Sequence, residues 1–209
     1  VSHDDRKSTD IEKLKQLNKE YCDKHGYDFH FFDRTDEKVP PYWIKVYEIQ
    51  KLLSRYDYVL WIDSDAVFHD TRARLESLSS LLSDEEFLII SSDSPMGVFG
   101  SLRPAAFNAG VWMIKNTSIA RVFMEDWITS FNPERWFLGR DRRWYCDACE
   151  WAGKFYEQGA GLELMKSERF CDKIVQVDWS VMQSAEPTRA SFVLHFSGVD
   201  KEKIKLYNR

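Results

Sequence analysis

Asp63 and Asp65 stand one residue apart at the end of the apolar run Tyr58-Val59-Leu60-Trp61-Ile62. Successive side chains of a strand go to opposite faces, so the two carboxylates share a face and Ser64 points away. Two hard oxygen donors on one face suit Mg²⁺ or Mn²⁺, with the remaining positions left to water and phosphate oxygens. A phosphorylated substrate is the leading expectation. A further donor sits at the end of a second apolar run, Phe192 to Phe196, where a neutral His195 would complete a metal site begun by the two carboxylates. Taken alone, a histidine there is more often a hydrogen-bonded residue at a sheet edge.

The elements that must position these residues alternate along the chain. Ile11, Leu14, Leu17 and Tyr21 recur at helical spacing, with Ser8, Thr9 or Asp10 as the cap and Gly26 as the stop. Tyr27 to Phe32 reads as a strand, Trp43 to Tyr56 as a helix entered through Pro40-Pro41, and Tyr58 to Ile62 as the strand that delivers the carboxylates. Arg72 to Leu82 reads as helix, Phe87 to Ser91 and Gly110 to Ile114 as strands, and Ser118 to Phe131 and much of Trp151 to Arg169 as helices. Strands at Ile174 to Val177 and Phe192 to Phe196 close the series. Such alternation predicts one α/β domain over residues 1–209 with a mostly parallel sheet. Pro95, Gly97, Gly100 and Pro104 suggest a long loop before Asn108. From Asn132 to Cys149 no period is visible; four arginines, Trp136, Trp144 and Tyr145 mark a ligand-facing loop or a solvated one pinned by its tryptophans.

The 29 Lys and Arg against 34 Asp and Glu leave a net charge of −5, so the chain has no overall field that would attract nucleic acid. No run of about 18 apolar residues predicts a membrane span, and no signal-peptide pattern is visible. Cys22, Cys146, Cys149 and Cys171 are expected as free thiols, with Cys146 and Cys149 on adjacent helical turns or a helix entry loop. A soluble domain in a reducing, cytoplasmic setting follows.

The sequence as a whole resembles the GT-A fold glycosyltransferases. Trp61-Ile62-Asp63-Ser64-Asp65-Ala66-Val67-Phe68 looks like their DxD motif, which holds a divalent ion against the diphosphate of a nucleotide sugar. Phe107-Asn108-Ala109-Gly110-Val111-Trp112-Met113-Ile114, Glu157-Gln158-Gly159 and Leu194-His195-Phe196-Ser197-Gly198 follow in the family's order, and Tyr21-Cys22-Asp23-Lys24-His25-Gly26-Tyr27 is similar to its segment after the first helix. The likeness is nearest to the galactosyl- and mannosyltransferases of galactomannan and xyloglucan type, with kinship to glycogenin-like enzymes and room for a small virus-encoded domain.

The resemblance implies a GT-A, Rossmann-like mixed sheet, mostly parallel and flanked by helices. It implies Asp63, Asp65 and His195 as ligands of Mn²⁺ or Mg²⁺, and Lys45, Ser64, Asp93, Asn108 and Gly110 around the nucleotide sugar, where Gly198 would let the backbone approach a phosphate and Lys201 or Lys203 would neutralise it. Glu157, Gln158 and Asn108 become candidate catalytic residues at the sugar, with Glu157-Gln158 standing where the family has Asp-Gln. The implied reaction moves a sugar from a UDP-sugar to a hydroxyl of a glycan or glycoprotein acceptor, with retention through same-face attack; were it inverting, Glu157, Asp141 and Asp147 are the candidate bases. One departure stands out: the family opens with an apolar strand, and Val1-Ser2-His3-Asp4-Asp5 offers only a clipped version, which makes Val1 to His3 poor base contacts. Two rivals remain. Asp63-Ser64-Asp65-Ala66-Val67 also fits the nucleophile motif of haloacid-dehalogenase-like phosphatases, although no later paired-Asp motif follows. The abundance of Trp and Tyr would also suit a non-catalytic sugar-binding module.

Overall fold

The computed structural model describes residues 1–6, 8–33, 38–93 and 107–207, apart from the side chain of Val199. In chain order the elements are β1 (Ser2–His3), α1 (Thr9–His25), β2 (Phe31–Phe32), α2 (Pro41–Leu53), β3 (Tyr58–Ile62), β4 (Ala66–Phe68), α3 (Glu76–Ser79), β5 (Leu88–Ser91) and β6 (Val111–Lys115). Then come α4 (Ser118–Thr129), β7 (Trp136–Leu138), β8 (Trp144–Cys146), α5 (Glu157–Met165), β9 (Ile174–Val177), α6 (Trp179–Met182) and β10 (Val193–His195), with 3₁₀ turns at Pro133–Arg135 and Gly198–Leu206.

The central sheet has the order β3-β6-β5-β9. β6 is antiparallel to both β3 and β5, and β5 is parallel to β9, so β3, β5 and β9 run one way and β6 alone is reversed. Two bonds extend this sheet. The Val1 backbone nitrogen donates to Leu60 O at 2.7 Å and Ile62 N–H donates to Val1 O at 2.9 Å, the pattern of a parallel neighbour. β1 therefore lies beside β3 and carries β2, its parallel partner, outside it. A two-residue strand opens the chain, and the α/β arrangement is mixed and mostly parallel as expected.

β3 is buried on both faces, which is why it reads as an unbroken apolar run. Its alternate residues enter different cores. Val59 and Trp61 join Trp43, Val46 and Ile49 of α2 and Phe123 and Trp127 of α4, while Leu60 and Ile62 join Tyr21 and Cys22 of α1 with Val111 and Met113 of β6. Gly26 ends α1 in a left-handed conformation, φ 76°, with its N–H on Cys22 O. Thr117 caps α4 by accepting from Ala120 N–H at 3.1 Å.

Several elements are shorter than their patterns predict. Only Phe31–Phe32 of the Tyr27 to Phe32 stretch is strand, and only Glu76–Ser79 of Arg72 to Leu82 is α-helix. There the Asp70 carboxylate accepts from Arg72 N–H, a local bond, and the distant Tyr27 hydroxyl accepts from Leu75 N–H; together they replace a helical start. α5 begins at Glu157 rather than near Trp151, because Ala152 takes a left-handed φ of 55°. The loop expected before Asn108 falls outside the described residues.

The Asn132 to Cys149 stretch forms the antiparallel hairpin β7–β8, in which Trp136 pairs with Cys146 and Leu138 with Trp144. Cys146 and Cys149 are joined as a disulfide, which corrects the expectation of free thiols. The turn after β8, with Ala148 at φ 50°, brings their Cα atoms to 5.5 Å, within bridging distance, where a helix or its entry loop had been expected. Cys22 and Cys171 are free. No described helix is long and apolar enough to cross a membrane.

Candidate functional site

The carboxylates sit on a tight turn rather than on the strand itself. Asp63 N–H donates to Gly110 O at 2.8 Å, Ala66 N–H closes the turn onto Asp63 O at 3.0 Å, and Phe196 N–H donates to Asp65 O at 2.9 Å. The turn is thus clamped between the start of β6 and the end of β10. β4, which follows it, pairs antiparallel with β10 and places Ala66 opposite His195. On its other side β4 is held by buried Asn18 of α1, whose amide donates to Ala66 O at 2.9 Å and whose oxygen accepts from Phe68 N–H at 3.0 Å. That side chain stands in for a neighbouring strand.

His195 Nε2 lies 3.3 Å from Asp65 Oδ1 and 4.0 Å from Asp63 Oδ2. One ligand atom from each of the three residues falls within 4.8 Å of the others. Two carboxylates and an imidazole nitrogen are a fitting donor set for a divalent first-row ion. The ring rests against Gly110, where an added Cβ would stand 2.1 Å from His195 Cε1 and 2.9 Å from Asn108 Oδ1. Only a residue without a side chain allows this approach.

Two lysines flank the carboxylates. Lys201 Nζ is 3.0 Å from Asp65 Oδ2 on the exposed side. Lys45 Nζ is buried and lies 3.0 Å from Asp63 Oδ1, 3.0 Å from Ala109 O and 3.3 Å from Glu157 Oε1. Burial acts to lower the Lys45 pKa, but the carboxylates of Asp63 and Glu157 overcome it and the group is held above its ordinary value. Burial raises Glu157, and Lys45 only partly offsets this. For Asp65 burial also acts upward, yet His195 and Lys201 outweigh it and hold the carboxyl well below the usual range.

The remaining candidates gather at the same end of the sheet. Asn108 accepts from Gly110 N–H at 2.8 Å and donates to Asp93 Oδ1 at 3.2 Å. Gln158 Oε1 accepts from Ala109 N–H at 3.0 Å, so its side chain braces the Asn108 to Gly110 turn. Gly198, at φ 58°, opens the 3₁₀ turn that carries Lys201. Ser64, the middle residue of the turn, points away from the two carboxylates toward Asp4. Its hydroxyl donates to Asp4 Oδ2 at 2.5 Å, and Asp4 also pairs with Arg6 at 2.6 Å.

Four participants have no counterpart in the sequence reading. Trp61 Nε1–H donates to Asp63 Oδ1 at 2.6 Å, a contact that the i, i+2 spacing on one strand face could have signalled. Asp4 and Arg6 lie on the far side of a strand too short to read. Gln183, which touches His195 Nδ1 at 2.6 Å, sits in a stretch with no period and no motif.

The sequence profile of the galactosyl transferase GMA12/MNN10 family matches residues 2–200. Galactomannan galactosyltransferase 1 of Cyamopsis tetragonoloba is 28% identical over 124 residues, which is 55% of this chain and 26% of that protein, so the aligned segment spans about a quarter of the relative. The crystal structure of a glycosyltransferase involved in the glycosylation of the major capsid of PBCV-1 superposes with a TM-score of 0.70 at 17% identity, covering 99% of this chain and 97% of the other, a likeness of fold. The phosphatase alternative finds no support in these matches. With a family match across nearly its whole length and a mixed sheet whose β3 delivers the two carboxylates, the chain belongs to the galactosyl transferase GMA12/MNN10 family and has the GT-A glycosyltransferase fold.

Proposed function

We propose that this chain is a metal-dependent glycosyltransferase that moves a hexosyl group from a UDP-sugar to a hydroxyl of a glycan or glycoprotein acceptor, with retention. The observation that carries the reading is the grouping of Asp63, Asp65 and His195 within 4.8 Å, beside the exposed-side cation Lys201. Those three residues would hold Mn²⁺ or Mg²⁺, which when bound supplies Lewis acidity toward the leaving diphosphate. Lys201, released from Asp65, would add positive charge to the diphosphate as its bond to the sugar breaks. Lys45 keeps the inner oxygen of Asp63 neutralised, and so leaves Oδ2 on the His195 side, where it would serve as a ligand. Asn108, Asp93 and Gly110 would line the sugar, and Gln158 and Glu157 would set the position of that turn and of Lys45.

Retention through same-face attack is supported by how the nearby carboxylates are committed. Glu157 is paired with Lys45 and Asp93 accepts from Asn108, which leaves neither disposed as a nucleophile. UDP release from a panel of UDP-sugars, with Mn²⁺, Mg²⁺ or EDTA, tests the reaction, and the anomeric configuration of the product by NMR tests retention. Metal-dependent release with one donor is expected. Release from none of them, together with metal-dependent cleavage of a generic phosphomonoester, would overturn the reading.

A further inference from the structure

We propose that Gln183 is a positioning residue that locks His195 in the Nδ1–H tautomer, and thereby directs a bare Nε2 at the two carboxylates. This deepens the metal-site reading above and rests on it.

The argument begins with the amide. Gln183 is 4% exposed and follows α6 directly. Its Nε2 lies 3.3 Å from Asn108 O and 3.1 Å from Val111 O, two backbone carbonyls that only accept. The NH₂ group must therefore face them, and the other orientation of the amide would set its oxygen against both. Oε1 is left facing His195 Nδ1 at 2.6 Å. Since Oε1 can only accept, Nδ1 must carry the hydrogen. A neutral ring then has its lone pair on Nε2, the atom 3.3 Å from Asp65. A ligating histidine whose other nitrogen is fixed in this way has its tautomer and ring angle set before the ion arrives.

Neighbouring contacts make the arrangement stiff. His195 N–H donates to Ser184 O at 3.0 Å, and Phe192 N–H donates to Val181 O at 2.9 Å, so α6 and the residues after it are stitched to β10. Gly110 supports the ring from below. Because the same amide bonds Asn108 O and Val111 O, Gln183 also ties the ion's nitrogen ligand to the turn proposed to line the sugar.

The test reads the tautomer directly. In metal-free wild-type protein labelled with ¹⁵N-histidine, at a pH where the ring is neutral, long-range ¹H–¹⁵N correlation should show His195 protonated at Nδ1. Gln183→Leu should shift the ring toward Nε2–H and weaken Mn²⁺ binding, measured by electron paramagnetic resonance, about 10- to 100-fold. Gln183→Glu, which keeps an oxygen acceptor, should retain the Nδ1–H signature. An Nε2–H ring in the wild type overturns the proposal without any variant, as does a folded Gln183→Leu protein with unchanged tautomer and Mn²⁺ affinity. A wild type with the Nδ1–H ring and no Mn²⁺ or Mg²⁺ binding would support the tautomer lock and sink the metal-dependent function instead.

Discussion

Lys45 and Glu157 face each other at 3.3 Å with side chains only 7% exposed, and Lys45 reaches Asp63 from the same position. A buried cation between two carboxylates cannot be removed without stranding charge. Lys45→Met should cost about 3–5 kcal/mol in denaturant unfolding, the range for breaking one side of a buried pair. Adding Glu157→Gln to Lys45→Met should recover part of that loss, because the second change removes the stranded carboxylate. Additive losses in the double variant would show that the two groups do not depend on each other.

Asp65 pairs with Lys201 Nζ at 3.0 Å and faces His195 Nε2 at 3.3 Å, but its role in the backbone is carried by its carbonyl, which any residue can supply. Asp65→Ala should therefore abolish turnover and Mn²⁺ binding while leaving a folded protein with an unchanged circular dichroism spectrum. Full activity in the purified, folded variant would remove Asp65 from the site.

Without an ion, burial works against a charged His195, but the Asp65 hydrogen bond and the charges of Asp65 and Asp63 more than compensate and raise its pKa. A raised imidazole contributes stability that is complete below about pH 6.5 and is lost as pH climbs through the folded-state value. Thermal melts of the wild type in EDTA should therefore lose stability relative to those of His195→Gln from about pH 6.5 upward. Mn²⁺ affinity should move in the opposite direction, rising over the same window as the ion displaces the proton. Parallel pH profiles in the two proteins would contradict the pairing.

Gly110→Ala tests the packing of ring on backbone. An added Cβ would meet His195 Cε1 at 2.1 Å and must displace the ring or the turn. The expected stability loss is about 1–3 kcal/mol for overpacking, with a larger proportional loss of Mn²⁺ affinity because the displaced atom belongs to a proposed ligand. Unchanged affinity at reduced stability would mean that the ring escapes without moving Nε2.

Features carried by local pattern were legible in the chain. β3 could be read because a strand buried on both faces is a continuous apolar run, and the two carboxylates follow directly on its end. α1 with its Gly26 stop and the strand ending at His195 were likewise local. The mostly parallel arrangement followed from alternating helices and strands, although the reversal of β6 did not, since direction is decided by the path of the connecting chain. β1, two residues long, carries no period at all, and only its bonds to Leu60, Ile62 and β2 make it a strand.

By itself, then, the sequence determined which residue types were available and where the strand carrying the carboxylates would lie, because hydrophobic periodicity and side-chain alternation act over neighbours. Tertiary structure decided the rest, joining residues that no local pattern links. It set Lys45 between Asp63 and Glu157, turned Ser64 toward Asp4 and brought Gln183 to the back of His195. A buried polar group must find its partner wherever the fold places one, and no spacing along a chain records that encounter.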